Sequence, residues 1–464
     1  MKKLWGGRFK DDVHPKLKLF SYSLAVDSEL FEAEIAVDIA WARMLGRVKL
    51  ITASESQRLV RGLKAIEKEF SSKGRRVGIP KECFHQYEDV HTLIQAQLDK
   101  RVGSAARKLH TGRSRNDLVV ASTRIYLREK ICRIRCGIRE VQKALIGLAR
   151  KSGKAVVSGM THLKKAQPVL LAHHLLAYVE MLEEDISRFE DTAKRSDVLP
   201  LGSAALAGTS LPVDQKFLAK ELGFSRVAAN SLSAVSDRAF LVEFLSAVAV
   251  LWMHLSRLSE DFILWNSEAF DYIELGDAFA TGSSLMPHKK NPDVFELIRG
   301  RSGGIFGHLN TLLIVQKGLP LAYNRDLQED KPALFDAVNK TVLALEVLAP
   351  ALDSVTVNTE SLDRSVDDDS LFATDILEYL VRKGVSLSDA HEAVGKVVRY
   401  ASDAGKSMRD LQLEEWKRFF KHFDAGIYDL FDPQYSVFSK RTIGSTHPDR
   451  VEAEIAKWEK CLRK

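Results

Sequence analysis

The sequence contains few cysteines, and their spacing matches no metal-binding or disulfide motif. Its 464 residues include four cysteines, Cys83, Cys132, Cys136 and Cys461, and no Cys-x-x-Cys pair. Cys132 and Cys136 can share one face of a helix, but no neighbouring His or Asp completes a zinc-binding set. We therefore interpret the thiols as reduced, as they are in cytosolic proteins, and expect no bound metal.

Signals for secretion and for membrane insertion are missing as well. The N-terminal segment has neither the apolar core nor the cleavage site of a signal peptide. The longest apolar run, residues 244–253, is too short to cross a bilayer and lies between Glu243 and His254. We therefore expect a soluble, cytoplasmic protein without a membrane partner.

The chain also lacks a concentration of charge of one sign. The formal net charge is +6, and the Lys and Arg residues are spread along the chain rather than clustered. Such a distribution favours a solvated surface over a nucleic-acid-binding face, so we expect no nucleic-acid partner. Small acidic substrates are compatible with it.

Proline is absent from three long stretches, which leaves room for long helices. No proline occurs between residues 80 and 168, 212 and 287, or 350 and 433. Apolar residues recur at spacings of three and four, which predicts helices with one buried face, within residues 131–148, 171–189 and 241–262. Two more helices are predicted, from residue 293 to 317 and from Pro332 to about residue 348.

These patterns predict an all-α fold with a central bundle of five long helices and shorter helices at both ends. We found no run of alternating strands and no Rossmann or P-loop glycine motif. We place an N-terminal helical domain at residues 1–110, the central long-helix bundle at 111–362 and a C-terminal helical domain at 363–464. The helix from Leu241 is apolar on more than one face, which suggests burial by another subunit and therefore an oligomer.

The most informative stretch is residues 282–291, Gly-Ser-Ser-Leu-Met-Pro-His-Lys-Lys-Asn. Gly282 lets the backbone bend freely, and Ser283 follows it with a hydroxyl. Lys289 supplies a point charge suited to a carboxylate, and Asn291 supplies a neutral donor. The composition predicts a loop that binds an anion and transfers a proton.

Three further polar segments, residues 110–117, 161–168 and 323–331, each precede a predicted helix. Helix N-termini favour anions through their free N–H groups and the helix dipole. Singly, each segment is explained as well by ordinary caps, a satisfied buried histidine or a plain loop. Together, four polar segments at the ends of bundle helices favour one cleft, formed within a chain or across an oligomer.

These segments resemble a known family. The loop at 282–291 looks like the signature of the fumarase/aspartase superfamily. Residues 110–117, His-Thr-Gly-Arg-Ser-Arg-Asn-Asp, are similar to a segment particular to argininosuccinate lyases and delta-crystallins. Residues 4–9, 161–168 and 323–331 fit the same branch, and residues 436–446 fit it more loosely.

The resemblance implies a fold, an assembly and a reaction. The expected fold is a three-domain, all-α fumarase/aspartase-like structure, assembled as a homotetramer whose active sites are shared between subunits. The expected reaction is the reversible cleavage of argininosuccinate to arginine and fumarate, in arginine biosynthesis, with no cofactor and no metal. Two alternatives stay open: a weakly active or inactive structural paralogue of the delta-crystallin type, and a sister fumarate-releasing lyase such as adenylosuccinate lyase.

The resemblance also implies catalytic roles. A β-elimination needs a base for a weakly acidic proton, donors that stabilise the resulting dianion, and an acid for the leaving nitrogen. We favour Ser283 as the base, with Ser284 as the alternative, and Lys289 as the cation that holds the carboxylate. His162 is the partner acid or base, oriented by Glu296. Which of Ser283 and His162 takes the carbon proton stays open.

Binding roles follow from the same resemblance, residue by residue. The residues expected to hold the substrate are Ser23, Arg113, Asn116, Thr161, Asn291, Tyr323, Gln328 and Lys331. Arg115 is a further carboxylate ligand candidate, and His91 is either a neighbour of the site or a structural histidine. The chain departs from the usual pattern at Lys164, Gln95 and Ser233, among others, which leaves the surroundings of the site in question.

Overall fold

The structure is a computed structural model that describes Arg8, residues 10–70 and residues 78–463. Apart from Arg8, the motif at residues 4–9 lies outside the described residues. Helices make up most of the described chain, in agreement with the predicted all-α class.

The helices fall into three groups along the sequence. The N-terminal helices are α1 (Pro15–Ser21), α2 (Leu24–Asp27), α3 (Phe31–Arg47), α4 (Ala53–Phe70), α5 (Cys83–Gln86) and α6 (Val90–Val102). The central helices are α7 (Arg115–Ser152), α8 (Leu171–Ser196), α9 (Gln215–Leu222), α10 (Ser231–Ser236), α11 (Ala239–Trp265), α12 (Asp293–Gln316) and α13 (Asp330–Asp353). The C-terminal helices are α14 (Thr359–Ser365), α15 (Ala373–Arg382), α16 (Leu387–Asp403), α17 (Leu413–Phe419), α18 (Pro433–Ser439) and α19 (Pro448–Leu462). Short 3-10 helices cover Ser28–Leu30, Gly103–Lys108, Asp277–Phe279, Arg325–Gln328, Asp369–Phe372, Met408–Asp410 and Ala425–Phe431.

The three helices predicted from apolar spacing are α7, α8 and α11, and the two further predicted helices are α12 and α13. The bounds of α12 agree with the prediction to within one residue at its C-terminal end. The predicted bounds of α13 are wrong, because it starts at Asp330 and continues through Pro350 to Asp353. Pro350 has no N–H to donate to the carbonyl four residues earlier, so it removes one hydrogen bond close to the end of α13.

The polar segment at residues 110–117 leads into α7, and its side chains cap the first turn of that helix. Ser114 Oγ accepts a hydrogen bond from the backbone N–H of Asn116 at 3.2 Å, and Asp117 Oδ1 accepts one from the N–H of Ser114 at 3.1 Å. These reciprocal bonds satisfy free donors of the first turn, as in a capping box. Ser114 therefore takes the place of an N-cap before α7, and neither Asn116 nor Asp117 does.

Short strands, which the sequence did not predict, also occur. The largest pair is an antiparallel hairpin of β1 (Val156–Thr161) and β2 (Lys164–Leu170). β3 (Val198–Leu199) pairs in parallel with β4 (Arg226–Val227), and β5 (Ile273–Glu274) pairs with β6 (Thr356–Val357). Residues 161–168 precede α8, as predicted, but they form the turn and second strand of a hairpin, which the sequence did not predict.

The chain divides into two compact units. The first consists of Met1–Arg135, Ile186–Val250 and Gly303–Val342. Its core includes α3, α4, α6 and α9, with the fully buried rings of Phe31 and Trp41. Between long helices, the rings of Tyr126 and Phe335 lie 5.0 Å apart.

The second unit consists of Cys136–Asp185, Leu251–Ser302 and Leu343–Lys464. Its C-terminal core is formed by α15, α16 and α17, with Trp416 fully buried. Long helices pack here as well, since the rings of Phe262 on α11 and Phe295 on α12 lie 5.2 Å apart. The three-domain division proposed above stays a prediction.

One helix of the described chain, α11, is long and apolar enough by length and composition to cross a membrane. It has 27 residues, its most apolar window has a mean hydropathy of 1.8, and 56% of that window is buried inside the protein. A helix that is apolar on several faces and buried to this extent is typical of a protein core.

Candidate active site

A cavity in the first unit gathers four of the predicted binding residues. Its volume is about 160 Å³, and its wall includes Asn116, Tyr323, Gln328 and Lys331. The complete lining is Asp27, Glu88, Asp89, His91, Arg115, Asn116, Val119, Tyr323, Arg325, Gln328 and Lys331. Segments that lie far apart in the sequence therefore meet at one polar cavity.

Ser23, a fifth predicted residue, adjoins this cavity. Its backbone N–H donates to the carbonyl of Glu88 at 2.7 Å. Its hydroxyl donates to the carboxylate of Asp27, which is part of the cavity wall. Ser23 thus links the start of α2 to the segment before α6.

Lys331 supplies a buried positive charge to the cavity. It is 5% exposed, and its Nζ lies 3.1 Å from Oδ1 of Asp330. Burial acts to lower the pKa of Lys331, but the charges of Asp330 and Asp27 outweigh burial and raise it. Burial also raises the pKa of Tyr323, which keeps its phenol a neutral donor. The pair can therefore present a cation and a hydroxyl to an anionic ligand.

Arg115 and Arg325 also belong to the wall of this cavity. Arg115 Nη1 lies 2.7 Å from Asp89 Oδ2, and Asp89 also accepts a bond from the N–H of Thr92 at the start of α6. Arg325 donates to the side chain of Gln328 at 2.9 Å, which fixes the orientation of that amide. Helix capping and ion pairing thus hold these side chains in place.

His91 is part of the cavity wall and is therefore a neighbour of the candidate site. Its Nδ1 lies 2.7 Å from Glu34, and both side chains are almost fully buried. Burial acts to lower the pKa of His91, but Glu34, Asp89 and Asp27 outweigh it and raise the pKa to about 9. The imidazole is therefore a cation at neutral pH.

Arg113 does not line the cavity, although the resemblance implied substrate binding. Its guanidinium is fully buried, lies 2.7 Å from Asp38 and lies over the ring of Trp41. An arginine held in this way is part of the core of the first unit. Arg115, on the first turn of α7, takes the place at the cavity.

The sequence-based list missed several residues of this cavity. Asp27, Glu88, Asp89 and Arg325 were absent from it. The signal was nevertheless present, because each lies within five residues of a predicted site residue or of His91. The three segments that carry these four residues meet only in the fold, so the sequence alone did not show that their charges face one cavity.

The β1–β2 hairpin of the second unit carries Thr161 and His162 at its tip. His162 and Leu163 both have a φ of 56°, in the left-handed region that side chains rarely adopt. Two residues with positive φ form the tight turn that matches the twist of a hairpin, usually with Asn and Gly. Using His and Leu there costs conformational strain, which is common at functional sites.

The hairpin is irregular just before this tip. The pairing register shifts between Gly159 and Met160, because Gly159 pairs with Gln167 whereas Met160 pairs with Lys165. A Cβ on Gly159 would lie 2.8 Å from the carbonyl oxygen of Gln167, so only glycine fits. Such a bulge changes the direction in which the following side chains point.

The serine loop is closed at its base by two backbone hydrogen bonds. Thr281 and Asn291 exchange N–H to carbonyl bonds of 3.1 and 2.8 Å. Ser283 Oγ accepts bonds from the N–H groups of Leu285 at 3.2 Å and Met286 at 3.0 Å. Donors directed at a hydroxyl oxygen stabilise its negative form, and the structure gives no such bonds to Ser284.

The other predicted catalytic residues are exposed. Lys289 extends into solvent, whereas the neighbouring Lys290 is paired with Glu274 and Asp277, each at 2.8 Å. Glu296, in the first turn of α12, is exposed, and no contact with His162 is recorded within the described residues. The predicted orienting contact between Glu296 and His162 is therefore not present in this chain alone.

The hairpin and the serine loop do not share a cavity. His162 lines a cavity of about 650 Å³ with residues of β1, α8 and α11 of the second unit, and the loop at residues 282–291 is not part of that wall. Within the described residues, the cavity of the first unit is lined by none of Thr161, His162, Ser283 or Lys289.

Comparison with known proteins adds a second line of support. A family model described as Lyase matches residues 7–307, and one described as Argininosuccinate lyase C-terminal matches residues 370–438. The argininosuccinate lyase of Desulforudis audaxviator is 46% identical over 464 residues, which cover 100% of both chains. That of Symbiobacterium thermophilum is 46% identical and covers 98% of each chain. The chain belongs to the argininosuccinate lyase family.

Solved structures agree with the expected fold. EDDS lyase in complex with formate has a TM-score of 0.85 at 27% identity, over 97% of this chain and 90% of that one. Class II fumarase from Schistosoma mansoni has a TM-score of 0.77 at 16% identity, over 94% of this chain and 97% of that one, which shows the shared fold. The expected fumarase/aspartase-like fold and lyase class are thus confirmed.

Proposed function

We propose that the protein catalyses the reversible β-elimination of argininosuccinate to L-arginine and fumarate, as a cytoplasmic homotetramer in arginine biosynthesis. The observation that carries the proposal is the meeting of Asn116, Tyr323, Gln328 and Lys331 at one polar cavity in a member of this family. The cavity holds charges of both signs, as a substrate with carboxylates, an amino group and a guanidino group requires.

Binding follows from these charges. Lys331 and the His91 imidazolium attract a substrate carboxylate, and Tyr323 donates a hydrogen bond to it. Asp27 and Glu88 line the same cavity and attract the amino group of the substrate. Arg115, in place of Arg113, is assigned to bind a carboxylate of the substrate.

Proton transfer is assigned to the hairpin and the loop. Ser283, with two N–H donors directed at its oxygen, removes the proton from the carbon next to a carboxylate. Lys289 and Asn291 hold that carboxylate as its negative charge grows, and the C–N bond then breaks. His162, at the hairpin tip, gives a proton to the leaving nitrogen. Thr161 supports binding, and Glu296 orients His162 once the site is assembled.

The proposal includes active sites that are shared between subunits. The cavity contains binding residues, while the assigned proton carriers lie elsewhere on exposed tips and loops. Helix α12 also exposes apolar side chains that another subunit would bury; Leu297, Phe306, Leu313 and Ile314 are 44% to 53% exposed. Burial of exposed apolar side chains between subunits is a common basis for stable oligomers.

Mixing two variants tests the shared site, at a substrate concentration far below the KM of Lys331→Met so that each variant alone is nearly inactive. Lys331→Met and Ser283→Ala subunits, dissociated and reassembled together, should regain part of the activity because some sites combine intact halves. Light scattering should give the mass of a tetramer. A monomer, or mixtures as inactive as their components, would reject this part of the proposal.

A substrate panel tests the reaction itself. Purified protein is given argininosuccinate, adenylosuccinate or aspartate, and fumarate release is followed by ultraviolet absorbance. We expect release from argininosuccinate alone, and its loss in Ser283→Ala. Release from adenylosuccinate instead, or from no substrate by folded tetramers, would contradict the proposal.

A further inference from the structure

The hairpin that carries His162 borders two parts of the second unit. It lines the cavity of about 650 Å³, together with α8 and α11. β1 and β2 also contact α14, α18 and the 3-10 helix Asp369–Phe372 of the C-terminal region. The hairpin thus lines an open cavity and packs against the C-terminal region, whose contacts can set the position of its tip.

Two buried hydroxyls from the C-terminal region bind the backbone of the hairpin. The N–H of Ser158 on β1 donates to Oγ of Ser365 at 3.2 Å. The N–H of Leu170, at the end of β2, donates to Oγ1 of Thr446 at 2.8 Å. Each strand is thus bound by one side chain that lies more than 200 positions later in the sequence.

Both hydroxyls are themselves held in place. Ser365 Oγ donates to the carbonyl of Leu362 at 2.6 Å, so its lone pairs face Ser158. Thr446 is 6% exposed and directly precedes His447, the N-cap of α19. Because Leu170 N–H is buried, its loss of a partner would not be repaired by solvent.

The strained tip requires such support. His162 and Leu163 persist at positive φ only if the surrounding structure prevents relaxation. The bulge at Gly159 and Met160 lies between the bound base and the tip, and it transmits the direction of the base to His162. A small movement at the base therefore changes the position of the imidazole.

We propose that Thr446, together with Ser365, is a positioning residue for His162: its hydroxyl fixes the base of the hairpin from the C-terminal region. The inference rests on the proposed role of His162 in catalysis. A misplacement of about 1 Å can lower a rate by about 100-fold, so loss of this hydroxyl should affect turnover more than binding.

The experiment compares Thr446→Val, which removes only the hydroxyl, with Thr446→Ser, which restores it. Thr442→Val is the matched control, since that side chain is exposed four positions earlier. We expect Thr446→Val to lower kcat by roughly 10- to 100-fold with KM little changed. Thr446→Ser should recover most of kcat, and Thr442→Val should match the wild type.

Hydrogen exchange of residues 156–170 provides a readout that does not depend on activity. Exchange should increase in Thr446→Val and stay unchanged in Thr442→Val. Unchanged kcat in folded Thr446→Val would overturn the proposal, as would equal losses in Thr446→Val and Thr446→Ser. If wild-type protein releases no fumarate, the proposed function fails, whereas unchanged exchange would separately show that Thr446 does not hold the hairpin.

Discussion

His91 and Glu34 form a buried ion pair, with 2.7 Å between the imidazole Nδ1 and the carboxylate. The two residues come from α6 and α3, and the pair lies where these helices reach the cavity of the first unit. Folding thus places a charged histidine where a carboxylate substrate is expected, and it couples that charge to stability.

This pair predicts a fall in stability at alkaline pH. The pKa of His91 rises from 6.5 to about 9 on folding, because Glu34, Asp89 and Asp27 outweigh the opposing effect of burial. The stabilisation from His91 is complete below pH 6.5 and is lost as the pH rises towards 9. Burial also raises the pKa of Glu34 from 4.5 to about 7, which adds a separate loss of stability between pH 4.5 and 7. Thermal melts should show this decrease in the wild type and a flatter profile in Glu34→Gln. Glu69→Gln, at an exposed carboxylate, is the control, and an unflattened profile in Glu34→Gln would contradict the assignment.

The two adjacent serines of the loop give a matched pair of variants. Ser283→Ala should reduce kcat by roughly 100- to 10,000-fold, the range usual for a positioned acid or base, with KM little changed. Ser284→Ala should keep most of the activity, because the backbone N–H donors are directed at Ser283. Steady-state kinetics measure both variants. If Ser284→Ala is the inactive one, the roles of the two serines are reversed.

Lys331 is predicted to act in binding rather than in proton transfer. Lys331→Met should raise KM roughly 10- to 100-fold, as expected when a hydrogen bond to a charged group worth about 1.5–3 kcal/mol is lost. Lys340→Met is the control, since Lys340 lies on the same helix but pairs with Asp336 at the surface. Kinetics in which kcat falls and KM does not would place Lys331 in the chemical step instead.

Glycine is required at the hairpin bulge but not on α7. Gly159→Ala should destabilise the protein by about 1–3 kcal/mol, because its Cβ would meet the backbone of Gln167. Gly147→Ala, on α7 with open space around the new Cβ, should stabilise it by about 0.5–1 kcal/mol. Denaturant titrations measure both changes, and equal effects would show that the bulge is more tolerant than its geometry indicates.

Helices were predictable because their signals are local. Apolar spacing located α7, α8 and α11, and the serine loop and Pro332 located α12 and α13. The hairpin was missed because its strands are short and its polar end resembles a helix N-terminus. Ser365 and Thr446, which are bonded to its backbone, are distant in the sequence.

The site residues were predictable as motifs but not as neighbours. Sequence reasoning could not choose between Arg113 and Arg115, because they precede or begin the helix, where no periodicity yet distinguishes faces. The fold decided, since Asp38 on α3 holds Arg113 in the core while Arg115 reaches the cavity. Similarly, Asp27 and Arg325 line the cavity only because the fold brings their separate segments together.

The most direct measurement quantifies both products formed from argininosuccinate by the purified protein. We predict fumarate and L-arginine in equal amounts, with the reverse reaction forming argininosuccinate from the two, and neither reaction in Ser283→Ala. A folded wild-type protein that releases no fumarate, or that releases as much after Ser283→Ala, would contradict the account.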